Sequence, residues 1–157
     1  MPIHTITIII VVQMKKVLTL IFLHLMLGKA YARIETLYYD SHKLKIKATG
    51  NFSDTLKIGF WTYWHENGVK SSEGNYKQNM ADGYWQNWDS LGRVTGLINW
   101  KEGKKEGLVK GWNYETSEYA EANYKDDALH GPFMLYTVDK RQVVMKGVYD
   151  NGVTQGE

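Results

Sequence analysis

The chain has 157 residues, enough for one domain, and a formal net charge of +2. Its first 32 residues hold three lysines and no acid, so residues 33–157 carry 16 basic and 17 acidic side chains and lack the concentrated positive charge that nucleic acid binding requires. The chain contains no cysteine, which excludes disulfides, thiolate metal sites and a cysteine nucleophile.

The N-terminal segment has the pattern of an export signal. Met14-Lys15-Lys16 is a charged start, Val17–Gly28 is a mostly apolar run, and Ala30-Tyr31-Ala32 has the small-residue spacing of a cleavage site. The run is shorter than the about 20 residues that span a bilayer as a helix. We therefore expect a signal peptide within residues 1–32 that starts at Met14 and is cleaved after Ala32; an uncleaved anchor and a buried strand are the alternatives.

Residues 33–157 repeat with a period of 24 residues. Each unit opens on a glycine, and large apolar or aromatic residues follow it at offsets of two, five and seventeen. In the last unit a one-residue insertion moves the third of these to Tyr149. The pattern predicts units 59–82, 83–106, 107–130 and 131–155 after a degenerate unit 34–58. We expect the repeated positions to be structural: Gly59, Gly83, Gly107 and Gly131; Trp61 and Trp85, then Val109 and Phe133; Trp64, Trp88, Trp112 and Tyr136; and Tyr76, Trp100, Tyr124 and Tyr149.

Each unit reads as a β-hairpin. In the first clear unit we predict strands at Phe60–His65 and Val69–Lys77, joined by Glu66-Asn67-Gly68, because Asn-Gly is a strong hairpin signal. A polar turn then leads to the next unit, and we place these turns at 78–82, 102–105, 126–128 and 150–152. The predicted fold is all-β: an elongated antiparallel meander of about four to five hairpins after an apolar N-terminal segment.

The second strand of most units reads small, small, aromatic along one face, as in Ser72, Gly74 and Tyr76. We expect the small residues to make room for rings from adjacent hairpins, although Ile98 breaks the rule. The first-strand rings at offsets two and five would face opposite sides of a regular strand. Either both faces are partly covered or a β-bulge lies between these rings.

These residues resemble the MORN-type repeat, in particular a bacterial variant with Gly-x-Trp-x-x-Trp/Tyr, a turn and Gly-x-Tyr. The closest unit runs from Gly59 through Trp61 and Trp64 to Gly74 and Tyr76, and the resemblance covers about residues 34–157. It implies an elongated hairpin meander and a role in protein contacts, assembly or lipid binding. Many bacterial relatives are antitoxin-like, a function at odds with an exported chain if the toxin is cytosolic.

Two groups of side chains are candidates for a binding surface. Aromatic residues outside the strictly repeated positions are expected to stack on sugars or fill a partner's pockets if exposed, with a second packed layer as the alternative. A local basic patch is a candidate for anionic lipid or an acidic glycan, with a solvated turn as the alternative. The aromatic group is Phe60, Tyr63, Tyr84, Tyr114 and Tyr119. The basic group is Lys101, Lys104, Lys105 and Lys110.

No catalytic residue, metal site or cofactor is predicted. His42, His65 and His130 fall in different units, and the acidic residues cluster at turns, where turn chemistry explains them. We expect an exported, non-enzymatic protein-interaction or scaffolding module in the periplasm, at the cell surface or in the medium, with end-to-end or edge self-association possible. The alternatives are an antitoxin or immunity protein and a carbohydrate- or lipid-binding protein.

Overall fold

The computed structural model describes residues 32–155, and these form one antiparallel sheet of 12 strands with no helix among them. Neighbours in sequence are neighbours in the sheet, so the chain runs as a meander, and β7 and β8 are two pieces of one strand beside β6. The predicted all-β hairpin meander is confirmed. The strands are β1 (Arg33–Tyr38), β2 (Ile46–Ser53), β3 (Leu56–Trp64), β4 (Lys70–Lys77), β5 (Met80–Trp88), β6 (Val94–Lys101), β7 (Lys104–Lys105), β8 (Gly107–Asn113), β9 (Glu118–Lys125), β10 (Ala128–Thr137), β11 (Val143–Asp150) and β12 (Val153–Thr154).

The predicted signal peptide lies outside the described residues. Within residues 32–155, no helix is long and apolar enough to cross a membrane.

Two kinds of turn alternate along the meander. Within a unit, the Gly68 N–H donates to the His65 carbonyl at 2.9 Å, and Gly68 takes a φ of 84° that suits glycine. From β4 onward the turn between units has only two residues, both with positive φ, such as Gln78 (51°) and Asn79 (67°). The predicted five-residue turn 78–82 is therefore wrong, because Met80 already belongs to β5; a two-residue turn of this type matches the strand twist, so pairing resumes at once.

Because the turns are short, the opening glycine of a unit lies inside a strand instead of before it. Gly59 has a φ of 63°, and the register between β2 and β3 shifts there from Thr49–Thr62 to Asn51–Ile58, as in a β-bulge. An asparagine on the preceding strand accompanies these bulges: Asn99 donates through Nδ2 to the Glu106 carbonyl at 2.8 Å. Sequence reasoning missed this position, although its 24-residue spacing was visible at Asn51, Asn75, Asn99 and Asn123.

One face of the sheet, here called the ring face, carries the largest buried side chains of the first units. The indole of Trp61 is fully buried, and its ring centroid lies 5.0 Å from that of Phe52 and 6.1 Å from that of Tyr76. Tyr76 in turn meets Trp85 edge-on at 5.0 Å. Burying each indole contributes at most about 4–6 kcal/mol, so these rings form the core of a sheet with no second layer among the described residues.

Glycine on the neighbouring strand makes this burial possible. A Cβ placed on Gly50 would overlap the Trp61 indole, and one placed on Gly74 would overlap the Trp85 indole. Each indole therefore lies flat on bare backbone. Its Nε1–H also donates a hydrogen bond to a backbone carbonyl, as from Trp85 to Asn75 at 3.0 Å. The predicted role of the small residue is confirmed at Gly74.

The exception at Ile98 follows the same steric rule. Leu97 pairs with Lys110, which brings Ile98 beside Val109 on the ring face. Val109 occupies the position of Trp61 and Trp85, so the large Ile98 lies beside a smaller residue where Gly50 and Gly74 each lie beside an indole. The matching holds at this contact between units, since within its own hairpin Trp85 pairs with Ile98.

Replacement of Gly74 by Ala is expected to destabilise the sheet by about 1–3 kcal/mol, because the new methyl displaces the Trp85 indole. Gly111→Ala is the matched control, since Gly111 lies in a strand, has no positive φ and has open space around its Cα. It should change the free energy of unfolding by no more than about 0.5 kcal/mol. Urea denaturation measures both, and equal losses in the two variants would contradict the packing.

Candidate functional site

The face opposite the ring face carries one continuous row of paired side chains. Thr62 pairs with Glu73, Glu73 with Gln86, and Gln86 with Leu97; the row continues through Lys110 and Glu121 to Met134 and Lys146. Successive residues of a strand point to opposite faces, so this row and the ring-face row are back to back. The row is mixed in chemistry, and it contains two carboxylates, two ammonium groups, an amide, a hydroxyl and two apolar side chains.

The aromatic residues at offset five also lie on this opposite face. Lys70 connects one of them, Trp88, to the row, because its Nζ lies 2.9 Å from Glu73 Oε2 and 5.1 Å from the centroid of the Trp88 ring. A register shift also falls between Tyr63 and Trp64. Both alternatives predicted for the first-strand rings at offsets two and five are thus observed. The rings cover both faces of the sheet, and a bulge lies between Trp61 and Trp64.

Beside the row is a concavity of about 430 Å³. Phe60 and Tyr84 are 51% and 79% exposed, and together with Trp85, Leu97 and Leu108 they supply its apolar lining. Its polar lining is Glu73, Gln86 and Lys110. Phe60, Tyr84 and Leu108 share one offset in three successive units, so the repeat itself aligns these exposed side chains across the sheet.

The other three predicted surface aromatics are placed differently. Tyr119 is fully buried, with its ring against Trp112 at 4.9 Å and Tyr136 at 5.9 Å, so its prediction as a binding residue is corrected. Burial and a hydrogen bond to Glu121 raise the pKa of Tyr119. Tyr114 is half-buried, and it donates to the Val94 carbonyl at 2.9 Å.

Tyr63 belongs to the ring face. Its ring stacks on Trp61 at 5.9 Å, and its hydroxyl donates to the Tyr76 hydroxyl at 3.2 Å. Lys57 covers this cluster: its Nζ donates to the Tyr63 hydroxyl at 2.8 Å and lies 4.7 Å from the Trp61 ring centroid. Burial raises the pKa of Tyr76 to about 12, with a further contribution from Tyr63 and an opposing one from the Lys57 charge.

The predicted basic patch is not one surface. Lys105 lies on the ring face with its Nζ 5.0 Å from the Tyr124 ring centroid, whereas Lys110 faces the concavity on the opposite side. Lys110 pairs with Glu121 at 3.1 Å and Lys104 with Asp126 at 3.2 Å, and Lys101 is exposed. Lys101 ends β6 and Lys104 begins β7, and Lys105 and Lys110 lie on opposite faces of the sheet. The expectation that the four lysines form a single patch is corrected, whereas binding of anionic lipid or acidic glycan stays a prediction.

No group of three or more histidine, aspartate and glutamate side chains that could hold a metal ion occurs among the residues described. His65 hydrogen bonds through Nε2 with the Trp88 carbonyl at 3.0 Å. His130 Nδ1 lies 3.1 Å from Asp150 Oδ1 beside the turn that precedes β12. These two histidines contact neighbouring repeats and do not converge with each other.

Comparison of the chain with protein-family models gave no match, and a search of curated proteins gave none either.

Proposed function

We propose that the chain is a non-enzymatic protein-interaction module and that it binds a partner protein through the concavity around Phe60 and Tyr84. The observation that carries this proposal is the exposure of large apolar side chains at one aligned offset, next to a carboxylate, an amide and an ammonium group. Contiguous exposed apolar surface with a polar rim is typical of interaction sites. Aromatic side chains in such pockets often carry most of the binding energy.

The architecture supports a scaffolding role. Each unit adds one hairpin to the sheet and repeats the same offset, so a partner meets side chains at a fixed spacing of two strands, which is about 9–10 Å. The aromatic and polar lining also fits a sugar ring stacked on Tyr84, so a glycan ligand is the alternative that the test must separate. An antitoxin or immunity role is a special case of protein binding at the same surface.

The double variant Phe60→Ser, Tyr84→Ser should lose the partner. A tagged wild-type chain is used as bait for envelope and secreted proteins of the source cell, and the retained proteins are measured by quantitative mass spectrometry. We expect one protein whose retention falls at least about tenfold in the variant, because exposed aromatic anchors dominate such contacts. The melting temperature should be nearly unchanged, since both side chains are more than half exposed.

Leu44→Ser, Leu91→Ser is the matched control, because these leucines are 82% and 74% exposed but lie away from the concavity. It should keep the partner. Retention of the same partner by the Phe60 and Tyr84 variant would contradict the proposed surface. Specific binding on a glycan array that the variant alone loses would favour the sugar-binding alternative.

We also propose that the protein is exported, on the basis of the charged, apolar and small-residue pattern of residues 14–32. N-terminal sequencing of the protein purified from its source should give Arg33 as the first residue. A mature protein that still carries residues 14–32 would contradict cleavage.

A further inference from the structure

The position two residues before each opening glycine is equivalent in every unit. The carbonyls of Lys57, Ala81, Lys105 and Leu129 each accept a hydrogen bond from a between-unit turn, donated by the N–H of Asn79, Gly103, Asp127 and Gly152 at 3.0, 2.9, 3.1 and 2.8 Å. The equivalence is therefore structural as well as a matter of spacing. Three of these positions hold a long side chain and one holds alanine.

At Lys57 the structure shows what this position accommodates. The ammonium group lies 4.7, 5.2 and 5.1 Å from the ring centroids of Trp61, Tyr63 and Tyr76, and it donates to the Tyr63 hydroxyl at 2.8 Å. Lys105 repeats the arrangement over Tyr124 at 5.0 Å. A lysine ammonium over aromatic rings is thus the pattern of this face, and cation–π attraction explains it.

Where Ala81 occupies this position, a cavity of about 470 Å³ takes the place of the long side chain. It is lined by Trp85, Asn87 and Trp100, which are the counterparts of Trp61, Tyr63 and Tyr76 one repeat earlier, together with Tyr76 and Met80. Two indoles replace an indole and a phenol, and the carbonyl oxygen of the Asn87 amide is a hydrogen-bond acceptor in place of the Tyr63 hydroxyl. The rings remain, but the methyl group of Ala81 does not reach over them.

We propose that this cavity is a binding site for the ammonium group of a lysine side chain supplied by another protein, which takes the place that Lys57 occupies in the preceding repeat. The position of Lys57 in the preceding repeat indicates the chemistry of the ligand. Its aliphatic stem would contact Met80, and its ammonium group would lie over the rings of Trp85 and Trp100. This site is on the ring face and shares only Trp85 with the lining of the Phe60–Tyr84 concavity. Substitutions at Ala81 change no residue of that concavity, and substitutions at Phe60 and Tyr84 change no residue of this site, so either proposal can fail in experiment without the other.

The probe is n-butylammonium chloride, which has the four-carbon chain and the ammonium group of a lysine side chain. We expect saturable shifts of the Trp85 and Trp100 indole N–H resonances in a ¹H–¹⁵N spectrum, with a Kd on the order of 10–100 mM, because one cation–π contact is weak. Sodium chloride at equal ionic strength and n-butanol at equal concentration are the controls. Neither should produce these shifts.

Two substitutions fill the cavity from within. Ala81→Lys places an ammonium group where Lys57 has one, and Ala81→Leu imitates Leu129 without charge. Both should abolish the shifts. Lys57→Ala opens the equivalent place at the earlier repeat, so butylammonium should then also shift the Trp61 indole resonance.

Shifts in the wild type that both Ala81 variants abolish would support the site. The proposal is overturned if the wild type shows no saturable shift at Trp85 or Trp100, if n-butanol produces the same shifts, or if Ala81→Lys retains them. A response of the Lys57→Ala variant at Trp61, with none at Trp85 in the wild type, would show that the probe works and that the Ala81 cavity does not bind it.

Discussion

The sheet depends on the contact between a tryptophan ring and the bare backbone of a glycine on the next strand. Trp61 lies on Gly50 and Trp85 on Gly74, so an indole is removed from water although residues 32–155 place no second layer above it. A single sheet exposes two faces and gains little from ordinary side-chain packing. Flat rings that also meet each other edge-on, as Tyr76 meets Trp85, supply the missing burial.

The packing of rings on glycine also limits which face of the sheet is free to bind a partner. Rings occupy the ring face where glycine allows them, and the row from Thr62 to Lys146 on the opposite face combines charged, polar and apolar residues. The Phe60–Tyr84 concavity lies on that second face. The Ala81 cavity arises differently, from the loss of one long side chain within the ring-face pattern.

Periodicity predicted the strands and the packed rings, because identical backbone geometry in each unit imposes identical offsets. It could not place Tyr119 or Tyr63. Tyr119 lies outside the repeated offsets yet is fully buried by cross-strand contact with Trp112, and cross-strand neighbours depend on register, which no single strand reveals. The basic residues near Trp100 failed as a patch for the same reason: strand alternation and the bulge separate Lys105 from Lys110.

On the ring face, the size of the residue at the Gly74 position matches the size of the residue at the Trp85 position. A double-mutant cycle tests this size complementarity most directly. Gly74→Ile and Trp85→Val, alone and together, convert one Trp–Gly contact into the Val109–Ile98 pair that the chain already uses. The free energies of unfolding are measured for the wild type and the three variants. The double variant should be more stable than Gly74→Ile alone, with a favourable coupling energy of about 1–3 kcal/mol. Additive losses would contradict complementarity and show that the two positions act independently.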